Sequence, residues 1–78
     1  MLESYLNNVS RPDTEVSVHG VKTCSPHIEY SRYEALLHHY QIAENLMQAQ
    51  REGYDAFCVG CMLDPAFYAL REAADIPV

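Results

Sequence analysis

The strongest constraint on this chain is the order of its segments between residues 31 and 78, where a long amphipathic stretch, a short apolar run and a second amphipathic stretch follow one another with turn signals between them. Residues 56–62 form an unbroken apolar run of the length and character expected of a strand buried on both faces. Asp64 and Pro65 then read as the N-cap and first residue of a helix. Ala66, Phe67, Ala69, Leu70 and Ala73 continue that helix to about residue 74. This places Cys61 where a strand ends and a helix is about to begin. A thiol there lies near the positive end of a helix dipole, which favours the thiolate. Free cysteine is also a common small buried hydrophobe, and geometry alone leaves packing and chemistry evenly matched for Cys61.

Upstream, residues 31–52 carry Leu36, Tyr40, Ala43 and Met47 at helical spacing, with Ile42, Leu46 and Ala49 as a parallel row. Together they predict a helix with a wide apolar stripe packed on a sheet, stopped at Gly53 by a left-handed residue. Leu2, Leu6 and Val9 place a first helix over residues 1–9, and residues 10–13 read as a turn. Residues 14–21 alternate through Val16 and Val18 as a strand, residues 22–30 form a loop, and residues 75–78 read as the opening of another strand. The order helix, strand, helix, strand, helix, strand start predicts an α/β fold with a parallel sheet and right-handed crossovers, in the three-layer α/β/α arrangement. Two strands and the start of a third are few for a sheet that must be covered on both faces. The expectation is therefore that residues 1–78 are a piece of a larger α/β domain, opening on a helix with no strand before it and stopping as a strand begins. Such a piece is expected to be marginally stable, or to self-associate as a homo-oligomer through unpaired strand edges.

Composition narrows the partners. Eleven acidic residues against five basic give a formal charge of −6, which argues against nucleic acid and against anionic membrane surfaces. No apolar stretch approaches a membrane span and the amino terminus has no signal-peptide layout, so the expected location is cytoplasmic. Cys24, Cys58 and Cys61 are an odd set, better read as reduced thiols than as a disulfide scaffold.

Cys58 and Cys61 form a CxxC. Within a strand, positions three apart point to opposite faces, so Cys58 reads as core packing rather than as half of a redox pair. The adjacent His38 and His39 diverge by about 100° around a helix axis, which disfavours their joint ligation of zinc. No metal is expected.

The segment REGYDAFCVGCMLDPAFYALREAADIPV resembles the Asp/Glu/hydantoin racemase superfamily, especially its hydantoin and allantoin racemase branch. That branch carries a segment of the form EGxDAxVIxCFxDPGLxxxREAxDIPV around its first catalytic cysteine. Matching positions are Glu52, Gly53, Asp55, Ala56, Cys61, Asp64, Pro65, Arg71, Glu72, Asp75, Ile76, Pro77 and Val78. Residues 25–29, SPHIE, are more loosely similar to the family's GPxSIE loop. Met62, Leu63 and Ala66 depart from the pattern, standing where the branch often has Phe, Gly and Gly.

The resemblance implies cofactor-independent, two-base racemisation or epimerisation. One cysteine thiolate removes a proton from a carbon next to a carbonyl, and a second cysteine thiol returns one to the opposite face. Cys61 would be one of the two bases. Backbone amides at Met62, Leu63 and the start of the next helix would receive a carboxylate or carbonyl oxygen, with Asp64 first a helix cap and second a substrate-side group. The implied substrate is a small carboxylate, hydantoin or ureido compound. The family's opening strand and the half supplying its second cysteine have no counterpart in these residues. Cys24 reads as an incidental thiol of a loop that borders the active-site mouth in the family. His27 and Glu29 read as solvated in that loop, and Arg71 and Glu72 as solvated on the last helix. The readings set against the racemase are a non-catalytic remnant that binds a partner chain, and a related cysteine-dependent decarboxylase or isomerase.

Overall fold

Residues 31–53 do locally what their sequence asks. In the computed structural model, which describes residues 1–23, 27, 30–61 and 65–78, they contain helix α2, Arg32–Arg51. Ser31 caps it, its hydroxyl accepting from the Glu34 backbone N–H at 3.2 Å, which satisfies one of the donors a helix start leaves over. At the other end Gly53 takes φ +84. The Gly53 N–H donates to the Gln50 carbonyl at 3.2 Å and the Tyr54 N–H to the Ala49 carbonyl at 3.1 Å. These are the paired bonds of a Schellman stop, which needs a residue comfortable in the left-handed region.

Helix α1, Leu2–Val9, precedes α2 and helix α3, Phe67–Ala73, follows it. The core is where α2 meets α3. Ile42, Leu46 and Leu70 are its buried residues, and Val21, Met47, Phe57, Val59, Ile76 and Val78 pack around them. Helix α1 buries none of its residues.

The parallel-sheet α/β architecture is not what forms. Among the described residues there is no strand, and the secondary structure is helical. Apolar content states a preference for burial, whereas a strand exists only when a neighbour completes its ladder. In residues 54–61 the side chains of Phe57 and Val59 turn toward the core while Ala56, Cys58, Gly60 and Cys61 are exposed. One backbone bond, from the Phe57 N–H to the Pro77 carbonyl at 2.9 Å, ties this segment to the carboxyl terminus.

Residues 16–23 satisfy their backbone differently. The Asn7 side chain both donates to the Val16 carbonyl and accepts from the Val16 N–H, each at 2.7 Å. Gln41 grips Thr23 the same way, accepting from its N–H at 2.8 Å and donating to its carbonyl at 2.7 Å. The Val18 N–H reaches Glu3 Oε1 at 2.9 Å, and Asn45 donates to the Gly20 carbonyl at 3.3 Å. Side chains of α1 and α2 thus fill the place that neighbouring strands would take, the Asn7 and Gln41 carboxamides each offering the donor and acceptor of one peptide group. Self-association through strand edges loses its basis, since the described residues present no such edge.

Two further expectations change. The amino-terminal part of the α2 stripe does not pack on a sheet: Leu36 and Tyr40 face solvent. The last helix starts at Phe67 instead of Pro65, with Ala66 as its N-cap at φ 60, ψ 18 and no side-chain capping bond. Pro65 and Ala66 form a turn, and the left-handed residue inside it delays the helix by two positions.

Candidate functional site

Cys61 follows the core-facing Val59 and precedes the turn at Pro65, and it is exposed with a free thiol. Exposure is what a base meeting a substrate from solution requires. The helix meant to act on it is less favourable than the sequence implied. Helix α3 has seven residues and begins six positions after Cys61, with Ala66 as its N-cap. A macrodipole acts mainly within its terminal turn, so the strand-to-helix junction drawn around Cys61 is not formed as such. Met62, Leu63 and Asp64, expected on the substrate side, lie outside the described residues. So do Cys24 and Glu29 of the upstream loop, while the His27 carbonyl accepts from the Tyr30 and Ser31 N–H groups, each at 2.9 Å.

Cys58 was expected in the core and is instead exposed and free. Without a ladder, residues 54–61 present only Phe57 and Val59 to the core, and the cysteine between them points away. Arg71 is exposed, its guanidinium 5.2 Å from the centre of the Phe67 ring, a cation–π contact inside α3. Among the described residues no three His, Cys, Asp or Glu side chains gather as metal ligands. No helix among them is long and apolar enough to cross a membrane.

Elsewhere Thr23, Glu34, Leu37, His38 and Gln41 line a cleft on α2. Its notable atom is Nδ1 of His38, buried and without a hydrogen-bond partner among the described residues. The Gln41 carboxamide is spent on Thr23. Cys61 is not among the lining residues, so the structure does not bring cleft and thiol into one site. Sequence reasoning passed over this feature, although its signal was present: Glu34, His38, Gln41 and Asn45 recur along α2 at steps of four, three and four, a polar row beside the apolar one.

Comparison with known proteins gives one informative relationship. No family model matches the chain, and no solved structure does. Over 77 residues the chain is 32% identical to hydantoin racemase of Pseudomonas sp. (strain NS671), an alignment covering 99% of this chain and 30% of that protein. The chain therefore spans less than a third of the length of the curated relative it matches. The match supports a racemase-like relationship, weakly, and through it an enzyme class rather than a reaction.

Proposed function

We propose that the chain is the Cys61-bearing part of a racemase or epimerase of the hydantoin racemase type, acting on a small carboxylate, hydantoin or ureido compound. The observation that carries this reading is the 32% identity to a hydantoin racemase, in an alignment that covers 99% of this chain and 30% of that protein. The exposed, free thiol of Cys61 is compatible with it.

In this reading the Cys61 thiolate takes the proton from the carbon beside the substrate carbonyl. The electron pair left on carbon delocalises onto the carbonyl oxygen, giving a planar, enolate-like species and a neutral Cys61 thiol. Backbone N–H groups of Met62, Leu63 and Asp64 are the assigned partners of that oxygen, because donors aimed at developing charge lower the barrier. An acid on the opposite face then returns a proton to carbon and inverts it. Proton transfer between two such groups balances without an electron acceptor, so no cofactor is assigned. The second acid is assigned to a part of such a racemase outside these 78 residues.

Solvent deuterium incorporation at the α-carbon of an optically pure 5-substituted hydantoin tests this, followed beside optical rotation. The 78-residue chain is expected to exchange the proton with little loss of rotation, as one base working from one face would. Cys61→Ser should remove the exchange and Cys58→Ser should leave it. Exchange that survives Cys61→Ser, or that is absent from the unsubstituted chain, would overturn the assignment.

A further inference from the structure

Cys58 and Cys61 are both exposed and both free. As strand residues three apart they would face opposite sides, with Cα atoms about 10 Å from one another. That arrangement is absent, because residues 54–61 form no strand. Phe57 and Val59 pack toward the core while Cys58 and Gly60 are exposed, an alternation that would turn Cys61 inward. Cys61 is exposed instead, so the two-residue period breaks at Gly60. No ladder holds the thiols apart either. The Phe57 N–H is bonded to the Pro77 carbonyl, and among the described residues no backbone hydrogen bond engages residues 58–61. A Cβ placed on Gly60 meets nothing within 4 Å, so the residue between the thiols stands in open space.

We propose that Cys58 and Cys61 are a modification site, a dithiol that a small-molecule disulfide such as glutathione disulfide converts to an intrachain disulfide. Cys58-Val59-Gly60-Cys61 supplies the turn that closure needs. A β-turn brings its first and fourth Cα atoms within about 7 Å, and a disulfide spans about 4.4–6.8 Å. The type II form requires positive φ at its third residue, which here is Gly60. Val59 takes the second position, whose extended backbone suits a β-branched residue. With free thiols Gly60 is not at positive φ, so closure is a rotation about this glycine. The chemistry is two exchanges. One cysteine thiolate attacks a sulfur of the oxidant, forming a mixed disulfide and releasing one thiolate. The other cysteine thiolate then attacks the protein sulfur of that mixed disulfide and expels the second. The chain gives up two protons and two electrons, and the oxidant's S–S bond becomes two thiols. The couple does not rest on the racemase reading; under that reading the oxidised form withholds Cys61 from substrate.

The full chain is equilibrated in glutathione buffers of graded poise, quenched with acid, alkylated and weighed. Trypsin, cutting after Arg51 and Arg71, leaves Cys58 and Cys61 in one peptide and Cys24 in another, so the pairing is read directly. The expected product is the peptide of residues 52–71 with neither thiol alkylated, lighter than its reduced form by about 2 Da. With reduced glutathione held near ~0.1 mM, the second thiol, at an effective concentration of mM order, should favour the closed disulfide over the glutathione adduct at least about tenfold. Gly60→Ala tests the turn. It should leave the reduced chain's far-UV circular dichroism unchanged, since its Cβ has room, and weaken closure about five- to thirtyfold, the cost of a left-handed alanine. Gly60→Asn, which tolerates positive φ better, should fall between the two. Glutathione adducts that persist on both cysteines, or a bridge to Cys24 or to a second chain in place of the Cys58–Cys61 bond, would overturn the site. Closure indifferent to Gly60→Ala would overturn the turn by which it is reached.

Discussion

Leu46 is the place where a single side chain tests the whole packing scheme. It is 0% exposed and clusters with Ile42 on its own helix and Leu70 of α3, the other buried hydrophobic residues among those described. Replacing it with alanine removes the transfer energy of the lost methyl and methylene groups and leaves a void, a combined cost of about 2–5 kcal/mol in well-packed cores. The surroundings are only partly buried, and Met47 and Val59 beside the gap have room to adjust, so the lower part of that range, about 2–3 kcal/mol, is expected. Against about 4–12 kcal/mol for a domain of this length, that is a large fraction of the total. It corresponds to a fall in Tm of roughly 10–20 °C. The control is Leu36→Ala, on the same helix but 64% exposed, where a change within about 0.5 kcal/mol is expected. Urea titration and thermal melting followed by far-UV circular dichroism, on dilute protein that keeps the chain monomeric, measure both. A Leu46→Ala cost below about 1 kcal/mol, or a Leu36→Ala cost equal to it, would refute the placement of the core at the α2–α3 contact.

Ala66, held at φ 60, predicts a ranking. Glycine there relieves about 1–2 kcal/mol of left-handed strain and gives back about 0.4–1 through the freer unfolded chain, so Ala66→Gly should be neutral to mildly stabilising. Ala66→Val, β-branched in a region it avoids, should lie at least about 2 kcal/mol below the glycine variant, and denaturant midpoints in the reverse order would contradict the turn. Asn7→Ala should cost about 1–2 kcal/mol, since it strands both backbone groups of Val16. The decisive reading is hydrogen exchange, where the Val16 amide should lose protection at least about tenfold while amides in the middle of α2 keep theirs.

Helix α2 could be read from sequence to within one residue at either end because its signals are local. Ser31 needs only the Glu34 N–H, and Gly53 needs only the carbonyls of the turn before it. The apolar run at residues 56–62 misled for the opposite reason. Its hydrophobicity states that Phe57 and Val59 will be covered, and they are, but it does not say whether a sheet or a pair of helices does the covering. The start of α3 turned on Pro65 and Ala66, where the Asp-Pro signal suggested immediate entry and the backbone inserts a left-handed residue first. For the site, sequence singled out Cys61, and the structure leaves its thiol reachable while removing the helix end that was to act on it. The row of carboxamides and His38 along α2 went unread because polar residues on a helix ordinarily mean a solvated face.

The carboxamide grips on residues 16–23 make the fold sensitive to chemical ageing. Hydrolysis of the Asn7 amide to a carboxylate keeps the acceptor for the Val16 N–H but abolishes the donor to the Val16 carbonyl, leaving two oxygens facing each other. The same conversion at Gln41 would turn its hold on Thr23 from a matched pair into half an attraction and half a repulsion. Both would add negative charge to a chain already at −6. A sheet neighbour offers only backbone amides to such a segment, whereas this chain holds it with side chains whose nitrogen is lost when they deamidate.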